Sequence, residues 1–243
     1  MGRLFHRLLY RLLSLESYLR VVSRLFFFTR AFGFGRKGRA LEYNYHLPQL
    51  VGRGDVAIDI GANLGYYTRP LSDIVGAEGA VYAVEPVPVI FDVLKRNVAG
   101  RKNVHLLNYA LGAEECAVEM ANDSVAEAGY FGTGRNFVSD GALSGKAIRF
   151  TAQMRRGSKL FAELERVDFI KCDIEGYERV VMPEMRAIIE RYHPTVLIET
   201  DGETRREIIE MFDKMGYRAY MLEDGKEVKL DTASDKDIIF RFE

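Results

Sequence analysis

From residue 54 onward, short apolar runs alternate with longer stretches whose apolar positions recur every three or four residues. The short runs read as strands and the longer stretches as helices. Strands are predicted over residues 56–60, 80–84, 104–109, 167–172, 195–199, 217–222 and 237–242. Helices are predicted over 64–76 and 88–99, from the fourth strand to about residue 192, and from the fifth strand through 215. In the second of these, Phe91, Leu94 and Val98 share one face. Such alternation predicts an α/β fold around an open sheet with a largely parallel centre. Ligands of such sheets sit at the carboxyl ends of the strands.

Two regions depart from the rhythm. Residues 116–153 carry strand-like runs at 117–121 and 147–151, with Gly129, Gly132, Gly134, Gly141 and Gly145 punctuating the polar stretch between. An insertion of this kind beside the strand ends is either a lid over a ligand or an irregular hairpin without ligand contact. Residues 3–28 follow a helical period instead, with Leu4, Leu8, Leu12, Leu15, Leu19, Val22 and Phe26 on one side. Arg3, Arg7 and Arg11 line the other. Gly33, Gly35 and Gly38, mixed with Arg36, Lys37 and Arg39, then form a flexible basic junction. The chain is therefore divided into a segment over residues 1–40 and a domain over 41–243.

Charge sharpens that division. The net charge of the 243 residues is −1, yet residues 1–39 hold nine basic residues and one acid, a net +8, leaving −9 on the rest. The basic helix either packs its apolar face on the domain or lies on an anionic membrane surface, with Phe26, Phe27 and Phe28 as anchors. The acidic remainder disfavours nucleic acid as a partner, because phosphate neutralisation needs Lys and Arg. A composition 48% hydrophobic and 28% charged excludes general disorder. No apolar run approaches the length of a membrane span. Cys116 and Cys172 are too few for a disulfide framework or a zinc site and are compatible with a reducing cytoplasm.

The sharpest motif runs from Asp59 through Gly61, Asn63 and Gly65 to Thr68, ending the first strand and opening the first helix. Gly61 permits a tight turn and close approach of a ligand. The spacing matches neither the dinucleotide fingerprint nor a phosphate loop, and Asp59 suits a ligand bearing a cation better than a pyrophosphate. Glu85, before Pro86, ends the second strand, where a carboxylate can accept both hydroxyls of a ribose. Asp173, Glu175 and Glu178 follow the fourth strand. Acids there either suit a helix start or act near a cleft, where they raise one another's pKa and create a base.

Together these blocks, with Asn108-Tyr109-Ala110-Leu111-Gly112 and Pro194 to Glu199, resemble the FkbM family of class I S-adenosylmethionine-dependent methyltransferases. The resemblance covers about residues 41–243. It implies a Rossmann-like, seven-stranded sheet with helices on both faces and a reversed final strand. It implies S-adenosylmethionine as cofactor, with Asp59, Gly61, Asn63 and Gly65 at its methionine part, Glu85 at its ribose, and Asn108 and Ala110 lining the adenine pocket. One departure stands out: an acidic segment usually precedes the fourth-strand block, and residues 151–157 are basic here.

Methyl transfer is an in-line displacement, so the enzyme mainly positions the nucleophile and desolvates the site. An alcohol benefits from a base, for which Asp173 is the first candidate and Glu175 the second. A carboxylate acceptor needs none. A divalent ion between Asp173 and Glu199 is a further arrangement but not the expected one. The expected activity is O-methylation of a sugar, glycolipid or secondary metabolite. The rivals are an N-methyltransferase and a non-catalytic scaffold docking a membrane or partner through residues 1–39. The Asp173–Gly176 stretch lacks the Pro-Pro-Tyr-like clamp of many N-methyltransferases. His193 enters a strand at the edge away from the expected site, and Cys172 reads as a buried strand residue.

Overall fold

The structure, a computed structural model, describes residues 2–36, 38, 41–139 and 147–243. Lys37, Arg39, Gly141 and Gly145 of the sequence reading lie outside them. The chain opens with helices α1 (Arg3–Leu12), α2 (Leu15–Ala31) and the short α3 (Glu42–His46). There follow β1 (Val56–Ile60), α4 (Thr68–Val75), β2 (Ala80–Val84), α5 (Pro88–Asn97), β3 (Val104–Leu107) and β4 (Ala110–Leu111). The interrupting region forms β5 (Ala117–Asn122), α6 (Ser124–Ala128), β6 (Asn136–Val138) and β7 (Ile148–Arg155). After it come α7 (Gly157–Leu160), β8 (Phe169–Cys172), α8 (Glu178–Glu184), α9 (Arg186–Tyr192), β9 (Thr195–Ile198) and α10 (Gly202–Lys214). The chain ends on β10 (Tyr217–Glu223), β11 (Lys226–Lys229) and β12 (Ile238–Phe242).

The main sheet has the order β11-β10-β12-β9-β8-β1-β2-β3. The five strands from β9 to β3 are parallel, and β12 runs against both of its neighbours. Its centre is buried on both faces, which is why β1, β8 and β9 read as nearly unbroken apolar runs. Ile58, Ile60, Ile170 and Ile198 pack on one side with Met182, Ile189, Ile208 and Phe212 of α8, α9 and α10. Ala57, Phe169 and Leu197 pack on the other with Leu71 and Val75 of α4 and with Leu47 and Leu50. Helices thus cover both faces of a Rossmann-like sheet. It holds eight strands rather than seven, because Asp224 and Gly225, both at positive φ, fold β11 back onto β10. An Asp-Gly pair is the residue choice of a two-residue hairpin turn.

Strands β4 to β7 build a second sheet, in the order β4-β7-β5-β6, in which β5 pairs antiparallel with β6 and β7. The basic residues that close β7 are committed to ion pairs. Arg155 meets Glu115 at 3.3 Å and Arg156 meets Glu184 at 3.0 Å.

The single helix predicted over 3–28 is two. Leu13 and Ser14 are extended, and the Ser14 hydroxyl accepts from the Ser17 amide to start α2. Packing differs between the two helices. In α2, Tyr18, Leu19 and Ser23 are buried, and its apolar face joins Val87, Ile90 and Val93 around α5. No residue of α1 is buried. The helix predicted to run from the fourth strand to about residue 192 is likewise broken at Met185, two residues after Pro183, which cannot donate to the turn before it. Among the described residues, no helix is long and apolar enough to cross a membrane.

Candidate active site

The carboxyl ends of β1, β2 and β8 meet under the β5–β6 hairpin and leave an open pocket. Gly61, Asn63, Glu85, Ala110, Asp173 and Glu175 line it together. Ile60, Val84, Tyr109 and Leu111 supply apolar wall, and Thr133, Gly134 and Asn136 face it from the hairpin.

The floor is fixed by backbone. Gly61 has φ 74°, and its amide and that of Ala62 donate to the Val84 carbonyl at 3.0 and 2.9 Å. A Cβ on Gly61 would run into the Asp173 carbonyl, so only glycine lets the loops after β1 and β8 touch. Asn63 follows at φ 53°, a conformation Asn tolerates, and its amide donates to Glu85 Oε2 at 2.9 Å. Glu85 Oε1 accepts from the Val87 amide, also at 2.9 Å. The Glu85 carboxylate is 5% exposed, and burial pushes it up to about 7 against those two amides.

Three expected cofactor residues do not line the space. Asp59 is fully buried beneath it, its Oδ2 accepting from the Thr68 hydroxyl at 2.6 Å. Burial raises its carboxyl, with Lys171 and Thr68 acting in the other direction. Gly65 packs under α5, where a Cβ would come within 3.0 Å of Leu94 Cδ1. Asn108 turns its amide back to donate to the Glu85 and Pro86 carbonyls at 2.7 and 3.2 Å, which ends β3 two residues early.

Lys171 is a buried side chain at the site that the motif reading passed over. It is buried between the strand tips, donating to the Gly61 carbonyl and to Asp173 Oδ2 at 3.1 Å each. Its Nζ lies 3.9 Å from Asp59 Oδ1 and 5.2 Å from the centre of the Tyr67 ring. Burial pulls the ammonium down, but Asp173 and Asp59 outweigh it and hold it above its ordinary value. The available signal was a lysine in an otherwise apolar strand, flanked by strand-tip acids.

Glu175 stands at the mouth with φ 55°, and burial, then Asp173 and Glu178, push it up to about 7. Glu178 has a different task. Fully buried, it accepts from the amides of Ile174 and Gly176 at 3.0 and 3.3 Å and folds the loop that carries Glu175. Glu199 and Asp237 lie electrostatically behind Asp173, and each is raised by burial and by its acidic neighbours. His193 stacks on Phe242 at 3.7 Å, away from the pocket, and Cys172 is fully buried with its thiol raised by burial. No group of three or more His, Cys, Asp or Glu among the described residues is arranged to hold a metal ion.

A sheet with a parallel centre and β12 reversed beside it, and a pocket over the tips of its first, second and fourth central strands, fit a class I S-adenosylmethionine-dependent methyltransferase. The chain belongs to the FkbM methyltransferase family, whose domain model, Methyltransferase FkbM domain, matches residues 59–219. The FkbM methyltransferase of Methylobacillus flagellatus superposes with a TM-score of 0.50 at 13% identity, over 79% of this chain and 45% of that one. This chain therefore spans less than half the length of that protein. Fibrillarin of Aeropyrum pernix with bound S-adenosylmethionine gives a TM-score of 0.44 at 18% identity, over 78% of this chain and 66% of that one. An O-methyltransferase of Thermotoga maritima gives 0.45 at 12%, over 82% and 63%. A comparison with curated proteins finds no match.

S-adenosylmethionine is the methyl donor of such an enzyme, and the residues present fit it. Each Glu85 oxygen accepts one amide and keeps a lone pair for a ribose hydroxyl. The Ile60, Val84, Tyr109 and Leu111 wall suits a flat base, and Asp173 and Glu175 suit the cationic part.

Proposed function

We propose that this protein is an O-methyltransferase acting on a hydroxyl of a sugar, glycolipid or secondary metabolite, with a carboxyl acceptor as the variant needing no base. Gly61, Asn63, Glu85 and Ala110 hold the cofactor directly. Asp59, Gly65 and Asn108 hold the loops that carry them. When bound, the cofactor would supply an electrophilic methyl group.

The observation that carries the reading is the unequal state of the two acids beside the acceptor space. Asp173 is ion-paired with Lys171 at 3.1 Å, so its oxygen is committed to that cation. Among the described residues Glu175 forms no ion pair; Arg135 acts on it only from further off, and burial with Asp173 and Glu178 pushes it up to about 7. It is therefore the group that takes the acceptor hydroxyl proton, while Asp173 orients the substrate oxygen and keeps Lys171 charged. The Gly134 edge of the hairpin approaches Glu175, since a Cβ on Gly134 would lie 3.3 Å from Glu175 Oε1. The −9 charge outside residues 1–39 supports a small-molecule or glycan acceptor over nucleic acid. The basic first 39 residues support a cytoplasmic protein in peripheral contact with an anionic membrane, which suits a lipid-borne acceptor.

The test pairs calorimetry on S-adenosylhomocysteine with labelled methyl transfer to a panel of glycans, lipids and amines. Glu175→Gln is expected to lower kcat about 100-fold while cofactor affinity stays within about twofold. The wild-type kcat is expected to rise with pH through about 7, as Glu175 loses its proton, and then level. Unchanged turnover in the variant removes Glu175 from the chemistry. Transfer to amines alone favours the N-methyl reading, and absence of cofactor binding favours the scaffold.

A further inference from the structure

Helix α1 presents two faces with different chemistry. On its inner side His6 Nδ1 lies 2.9 Å from the Tyr18 hydroxyl, and the His6 ring stacks on Tyr130 with centres 4.9 Å apart. Arg7 Nε donates to the Ala128 carbonyl at 2.6 Å, and the Tyr18 hydroxyl donates to the Phe131 carbonyl at 3.1 Å. These bonds clasp residues 128–131. Thr133 and Gly134, two and three residues further on, are wall of the cofactor pocket.

On the outer side Leu4, Leu8 and Leu12 are 81%, 56% and 71% exposed. Four-residue spacing aligns them as one apolar stripe. Arg3 and Arg11 are exposed too, and α1 contains no acid. Ten residues are too few for a helix to persist by itself in water, and the inner clasp, with Leu9 and Tyr10 packed on the core, holds this one. An apolar stripe beside arginines fits the boundary between acyl chains and anionic headgroups, where the leucines leave water and the guanidinium groups stay at the phosphates.

We propose that the outer face of α1 docks in the plane of an anionic lipid bilayer, and that docking steadies the cover of the cofactor pocket through His6 and Arg7. The coupling half rests on the reading of that pocket as the S-adenosylmethionine site. Docking fixes α1 as a helix, the helix holds the segment 128–131, and the held segment keeps Thr133 and Gly134 closed over the ligand. By linkage the cofactor tightens docking by the same factor.

The experiment uses the full chain with vesicles of phosphatidylcholine, alone or mixed with phosphatidylserine. It reads flotation and the affinity for S-adenosylhomocysteine. Flotation is expected on the mixed vesicles only, with loss at high salt and in the triple variant Leu4→Ser, Leu8→Ser, Leu12→Ser. Cofactor affinity is expected to rise about fivefold on mixed vesicles, with no rise in the triple variant, whose affinity without lipid matches wild type. Undiminished flotation of that variant, or equal flotation on phosphatidylcholine alone, overturns the docking face. A lipid-free dimer abolished by the same three substitutions also overturns it, by assigning the stripe to a second copy. Flotation with unchanged cofactor affinity overturns the coupling. A protein that floats yet binds no S-adenosylhomocysteine under any condition overturns the cofactor reading and leaves docking standing.

Discussion

At the floor of the pocket, Gly61, Glu85 and Asp173 are fixed by backbone bonds and a buried ion pair between adjacent strands. At the cover, Thr133 and Gly134 are fixed by contacts that reach across the chain, from Tyr18 to Phe131, from Arg7 to Ala128 and from Phe26 through Tyr66. The floor contacts gather at the strand tips around the buried Lys171, Asp59 and Glu85, where a broken partner leaves an uncompensated group. Of the cover contacts, the one from Arg7 to Ala128 lies at the surface, where water substitutes, while the one from Tyr18 to Phe131 is buried. The floor is therefore intolerant, and the cover is adjustable on the Arg7 side.

The largest effect that contrast predicts is at Lys171. Lys171→Met leaves Asp59 and Asp173 without their buried cation and is expected to cost about 3–5 kcal/mol of unfolding free energy, read by chemical denaturation. A loss under about 1 kcal/mol would show that solvent reaches the floor. Gly61→Ala is next, at about 3 kcal/mol, with cofactor binding lost as the β1 and β8 loops are pushed apart.

Glu85 separates stability from binding. Its carboxyl is raised from 4.5 to about 7, so between those values the folded state holds a proton that the unfolded chain has released. Stability therefore falls as pH rises through that window, by up to about 3 kcal/mol. Glu85→Gln is expected to flatten this slope in a melting series from pH 5 to 8 while weakening S-adenosylhomocysteine about tenfold. The smallest effect belongs to the cover. Tyr18→Phe removes one hydroxyl at a cost of about 1 kcal/mol, and proteolytic cutting within residues 128–139 should quicken about fivefold.

Legibility in the sequence follows the same divide. The central strands were readable because burial on both faces forces apolar runs, and Gly61 because the bend needs a residue without a side chain. Glu85 was readable from its distance after that bend. Asp59 was legible as important but not as to direction: the strand's alternation turns it inward to Thr68 and Lys171. The break at Ser14 was hidden because apolar spacing continues through it, although the Ser14 cap was there to be seen. The cover was not legible, since its order comes from residues more than a hundred positions away, such as Tyr18 with Phe131.

The bare meeting of Gly61 with the Asp173 carbonyl has one more consequence. It is a seam between the loops after β1 and β8 whose β1 side has no side chain to trim and no room to add one. Retooling this protein for a bulkier acceptor would have to leave the seam alone and recut the hairpin roof.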